Sequence, residues 1–212
     1  IPEGVITIGK GAFSYCTSLK GINVPSTVTT INDDAFSDCE SLESITLPNS
    51  VIIVGSSLFY RCNGLKSVAL PDALTSISDW MFYSCSNLET VVIPSKCTYI
   101  GQGAFEGCEG LKEICIPYGV TSIGDEVFSG CRMLEQIVLP DSVEKIGEKA
   151  FMKCKGLISI TLPANLHLLN SEMFFGCEKL EIVTINEGST TIGQSAFEEC
   201  HALQSVSIPE SV

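Results

Sequence analysis

Apolar and polar positions along this chain repeat with a single step of 23 residues. Phenylalanine recurs at Phe13, Phe36, Phe59, Phe82, Phe105, Phe128, Phe151, Phe174 and Phe197, and nine leucines (Leu19 to Leu203) and nine cysteines (Cys16 to Cys200) keep the same step. Proline marks one phase from Pro2 to Pro163, gives way to Asn186 and returns at Pro209. No insertion or deletion breaks the register. Nine units therefore fill residues 2–208, and a period of this length is the signature of a solenoid built from stacked units.

One unit, residues 117–139, shows the local logic. Ile137 and Leu139 flank Val138 ahead of Pro140, a two-residue alternation of β-branched and apolar side chains that predicts a strand stopped by proline. A shorter extended piece is predicted over 120–123. The next position reads Gly9, Asn32, Gly55, Ser78, Gly101, Gly124, Gly147, Asn170 and Gly193. Gly and Asn interchange where φ is positive, so a left-handed turn is expected there, with Ser78 left without an account. Asp33, Ser56, Asp79, Asp125 and Ser171 follow, where a side-chain oxygen could cap a short helical turn carrying the Phe and Cys.

A 23-residue unit cannot hide its apolar side alone. Stacking does so, with one strand per unit joining a parallel sheet and each apolar row becoming a continuous spine. Directly after the Leu row come Lys20, Glu43, Lys66, Glu89, Lys112 and Glu135. This alternation would place opposite charges in neighbouring units, each exposed pair worth about 0.2–1 kcal/mol.

Composition narrows the function classes. Apolar residues make up 45% of the 212 residues and charged ones 17%, which excludes disorder. A net charge of −13, from 12 Lys and Arg against 25 Asp and Glu, repels phosphate backbones, so nucleic acid is not an expected partner. No apolar run is long enough to span a membrane. Starting at Ile1-Pro2 and stopping at the same phase of the repeat, the chain, a single repeat domain over 1–212, reads as a segment of a longer array.

One cysteine per unit lacks the close pairing of a zinc site, and parallel Cβ vectors along a spine suit disulfides poorly. Buried free thiols are expected, with Cys97 a core filler and Cys115, in the row of Val138, partly exposed. Catalysis needs unlike groups brought together, whereas a repeat presents the same group again and again. His167 and His201 are the only histidines and lie in different rows, and Asp33-Asp34 lacks the spacing of a calcium loop. Neither an enzymatic centre nor a cofactor or metal is expected.

The pattern Cys-x-x-Leu-x-x-Ile-x-Leu-Pro-x-x-Val-x-x-Ile-Gly-x-x-Ala-Phe resembles the BspA-like, Treponema-type leucine-rich repeats. The resemblance implies a curved, right-handed solenoid with its parallel sheet on the concave side and short helical turns or loops opposite. It also implies a place on the cell surface or outside the cell, in proteins that attach to host proteins or other cells.

Two surfaces are candidates for contact. The outward strand row Asn23, Thr46, Ala69, Val92, Cys115, Val138, Thr161, Thr184 and Ser207 is small or β-branched and uncharged. It is open to two readings, good strand formers or a binding face. The other candidate is Tyr60, Trp80 and Tyr83 beside Arg61, an aromatic and arginine group of the kind that anchors protein contacts or stacks on sugars. The expectation is a non-catalytic module that binds protein. A structural spacer and a glycan-binding accessory module are the alternatives.

Overall fold

The computed structural model describes residues 1–210. Each unit is one coil of a parallel β-solenoid, and every strand pair is in register at a step of 23 residues. One side carries three-residue strands: Ser44–Thr46, Ser67–Ala69, Glu113–Cys115, Gln136–Val138, Ser159–Thr161, Ile182–Thr184 and Ser205–Ser207, with the two-residue Thr90–Val91 among them. In Gln136–Val138 the centre Ile137 is 7% exposed and Val138 74%, the alternation that the sequence predicts. A second side carries two-residue strands at each unit, from Thr7–Ile8 through Tyr99–Ile100, Ser122–Ile123 and Lys145–Ile146 to Thr191–Ile192.

The third side corrects the expectation of helical turns. Among the described residues there is no helix. Backbone N–H groups there alternate instead between short turns, such as Cys108 to Phe105 O, and the next coil, such as Phe105 to Val127 O at 3.0 Å. The Phe and Cys therefore sit on a laddered turn whose cross-links bind one coil to the next.

Two further expectations change with it. The Gly9 row is not left-handed. A Cβ at Gly55 or Gly147 would lie within 2.3–2.6 Å of backbone atoms of Asp33 or Asp125 in the preceding coil, so at these two coils glycine permits a close approach of backbone. Ser78 fits the row because its hydroxyl donates to Gly55 O at 2.8 Å, as the amide of Asn170 donates to Ile146 O at 2.6 Å. Positive φ falls elsewhere, at Gly11, Asp34, Ser57, Trp80, Gly103, Glu126, Lys149, Glu172 and Ser195, and again at the row holding Ser84, Gly107 and Gly130. The aspartates do not cap a helical turn either. Asp33, Asp79 and Asp125 each accept the N–H of a residue in the following coil, Ser56, Gln102 and Glu148, at 2.9–3.0 Å.

The core is one continuous column of spines. Phe36 through Phe174 are fully buried, and consecutive rings lie nearly parallel with centroids 5.3–5.9 Å apart. Cys62 Sγ–H donates to Phe36 O at 3.0 Å, and each later cysteine of the row repeats that bond to the Phe of the preceding coil. Cysteine thus supplies a small apolar body with a weak donor for a carbonyl deep in the stack. All eleven cysteines are free. Cys97 is buried and Cys115 exposed, as their rows imply.

Candidate binding surfaces

The three-residue strand side places Thr46, Val92, Val138, Thr161 and Thr184 in one outward row, paired coil to coil through Thr46–Ala69, Cys115–Val138 and Thr161–Thr184. Thr184 is half-buried and the other four are exposed. Val92 is 81% exposed and Val138 74%, far more than strand packing asks of valine. The hydrogen-bonded ladder is interrupted here, between Thr90–Val91 and Glu113–Cys115 and again after Gln136–Val138. At the first break lies a shallow depression walled by Val91, Val92, Ile114, Cys115 and Val138. Glu113 is the one charged residue in it. An apolar, nearly uncharged floor on a chain of net charge −13 is suited to desolvated contact with another macromolecule.

The aromatic group divides in two. Tyr60 and Tyr83 stack with centroids 4.6 Å apart and planes 7° from parallel, and the Arg61 guanidinium carbon lies 5.6 Å from the Tyr60 centroid. Burial, then the neighbouring Tyr83, pushes the Tyr60 phenol up. Trp80 turns elsewhere. Its φ is +52°, and its indole lies against Gly103 of the next coil, where a Cβ would come within 2.6 Å of Cδ1. With 36% of its surface exposed, Trp80 is part packing and part surface. Trp80 and Tyr83 are joined through a turn in which Tyr83 N–H donates to Trp80 O at 3.1 Å.

A carboxyl that the sequence does not single out follows Tyr83 in the same row. Glu106 is pushed up to about 7 by burial, then by the charge of Glu126 and a hydrogen bond with it. The signal was present in the row itself, where an acidic residue succeeds two tyrosines at a step of 23. The expected alternating ion pairs are mostly not formed. Among the described residues of that row only Glu43 and Lys66 pair, at 3.7 Å. Long exposed side chains gain too little from pairing to give up their solvation and rotamer freedom. Other ion pairs link units in different rows, as Glu109–Arg132 at 3.4 Å and Lys155–Glu178 at 2.6 Å.

Among the described residues no three His, Cys, Asp or Glu side chains gather to hold a metal ion, and no buried side-chain nitrogen or oxygen lacks a partner. His167 Nδ1 bonds Gly188 O at 2.9 Å, on the two-residue strand side. No helix of the described residues is long and apolar enough to cross a membrane.

Comparison with known proteins places this geometry. The family profile described as the BspA-type leucine-rich repeat region, six copies, matches residues 1–112 and 98–212. No curated protein matches the chain. Among solved structures, a leucine-rich cell surface protein of Faecalibacterium prausnitzii is 30% identical over 98% of this chain and 70% of its own, with a TM-score of 0.56. The leucine-rich repeat protein of T. pallidum is 29% identical over 87% of this chain and 78% of its own, at 0.59. The pneumococcal vaccine antigen PcpA is 25% identical over all of this chain and 60% of its own, at 0.69. With the family profile spanning the whole chain and the coil-by-coil register behind it, this protein belongs to the BspA-type leucine-rich repeat family.

Proposed function

We propose that the chain is a non-catalytic adhesive module, acting at the cell surface or outside the cell, that binds protein through its three-residue strand side. The observation that carries this reading is the row Val92, Cys115, Val138, which exposes apolar side chains over a break in the ladder on an otherwise acidic chain. Leucine-rich repeat solenoids are typically binding scaffolds, and the similar structures described as a cell surface protein and as a vaccine antigen support an external location. Thr46, Thr161 and Thr184 extend the contact row beyond its apolar centre. Tyr60, Arg61, Trp80 and Tyr83 form a second contact surface, on which the stacked tyrosines present a rigid aromatic edge at little entropic cost.

The experiment is biolayer interferometry of the chain against immobilised collagen, laminin and fibronectin, and against intact epithelial cells. Saturable binding to at least one surface is expected. A chain that saturates none of them counts against the adhesive reading and favours the structural spacer.

A further inference from the structure

The two-residue strand side carries a groove that the strand-side contact does not use. It crosses five coils, from Asp79 to Asn170, and has a volume of about 590 Å³, within the usual range of ligand sites. Its outward row reads Tyr99, Ser122, Lys145 and Leu168, with Tyr99 paired to Ser76 outside the groove on one side and to Ser122 on the other. Both neighbours are too small to cover the ring. Tyr99 is 39% exposed and Leu168 43%, and among the described residues no aromatic ring stacks on Tyr99, unlike Tyr60, whose face Tyr83 occupies.

Polar groups around that ring are already held. Asp79 and Asp125 each spend Oδ1 on a backbone N–H of the following coil, at 2.9 Å, which fixes the carboxylate and leaves Oδ2 to accept. Both charges act on the Tyr99 hydroxyl, which burial first of all pushes up. Further along, the His167 Nδ1–H donates to Gly188 O, which fixes the orientation of the imidazole. Lys145 adds a donor, and Leu168 an apolar patch between them. A partly exposed aromatic ring, with the fixed carboxylates of Asp79 and Asp125, a third carboxylate at Glu144 and a donor at Lys145 along the groove, complements a ring that is apolar on its faces and hydroxylated at its edge. Phosphorylated or otherwise anionic ligands meet the carboxylates of Asp79 and Asp125 instead.

We propose that this groove binds a neutral oligosaccharide of β-linked hexopyranoses, one ring stacked on Tyr99 with its hydroxyls on Asp79 and Asp125, and the chain running over Ser122 toward Lys145 and His167. The groove follows a parallel ladder, so an extended glycan lies along it and a coiled one does not. The site is independent of the strand-side row.

Isothermal titration calorimetry with cellohexaose and with chitohexaose, and with maltohexaose as the coiled comparison, tests this. An extended oligosaccharide should bind saturably, and Tyr99→Thr, the residue type that stands in this row at Thr7, Thr30 and Thr191, should weaken it at least about tenfold. Val92→Glu should leave the sugar affinity unchanged, which separates the groove from the protein contact. The proposal is overturned if neither extended oligosaccharide binds at millimolar concentration, if maltohexaose binds equally well, or if the affinity of Tyr99→Thr stays within about twofold of the unaltered chain.

Discussion

Replacing Phe105 by alanine removes the central ring of the aromatic column. Phe105 is fully buried and lies between Phe82 at 5.3 Å and Phe128 at 5.7 Å, with planes 10° and 4° from parallel. The backbone on either side is tied to adjacent coils through Phe105 N to Val127 O at 3.0 Å and Phe82 N to Ala104 O at 2.8 Å. The stack therefore cannot collapse into the vacated space, and the loss should lie at the full-cavity end, about 3–5 kcal/mol. Phe197 has one ring partner, Phe174 at 5.6 Å, and is only partly buried, so Phe197→Ala should cost about half as much. Urea titration followed by circular dichroism measures both, and the slope of each transition must be compared, since a cavity in a repeat array can uncouple its two halves. A Phe105→Ala loss below about 1 kcal/mol, or one equal to that of Phe197→Ala, would refute the reasoning.

Other expectations follow from single residues. Glu106 carries a folded-state pKa of about 7 against an ordinary 4.5, so the native state holds a proton that the unfolded chain has released, and stability should fall as pH rises between those values. Glu106→Gln should flatten this dependence and raise stability above pH 7 by about 1 kcal/mol, a figure reduced for solvent screening at a half-exposed group. A pH profile of the melting temperature that the substitution leaves unchanged would contradict this. Ser84 has φ +54° in a row where Gly107 and Gly130 have +71° and +72°. Ser84→Gly should accordingly stabilise by about 0.5–1 kcal/mol, and a lowered thermal midpoint would count against the conformational argument. Maleimide labelling with mass mapping should modify Cys16 and Cys115 in the native chain, Cys200 more slowly, and the eight buried thiols only after unfolding. Burial raises the thiols of Cys85, Cys108, Cys131 and Cys154, which keeps them unreactive. Native labelling of the Cys108 column, or any disulfide, would overturn the expectation.

The strand, the spines and the fate of Cys97 and Cys115 were legible because burial follows row identity, and row identity is visible in a 23-residue step. Backbone conformation was less so. Glycine at Gly55 answers a neighbouring coil, while glycine at Gly107 answers a positive φ, and one letter serves both causes. The rows themselves hold the distinction. The close-approach row holds only Gly, Asn and Ser, whereas the left-handed row also holds Trp80, Glu126 and Lys149. A capped helical turn was expected behind Asp33, Ser56, Asp79, Asp125 and Ser171, but the Phe and Cys sit on a turn bonded to its neighbours, a tertiary feature no single unit encodes. The aromatic group was visible as composition only. Whether Tyr83 meets Tyr60 or Trp80 depends on the stacking of coils, which favours residues 23 apart over residues three apart.

The central claim is contact with protein through the Val92 and Val138 row. The most direct measurement compares binding of the unaltered chain with that of Val92→Glu combined with Val138→Glu, on whichever immobilised matrix protein or epithelial surface the chain saturates. Both side chains stand in solvent, so the melting temperature should hold, while a charge placed in a desolvated contact should weaken binding by more than about 2 kcal/mol. Unchanged affinity in a folded double variant would contradict the assignment of this face.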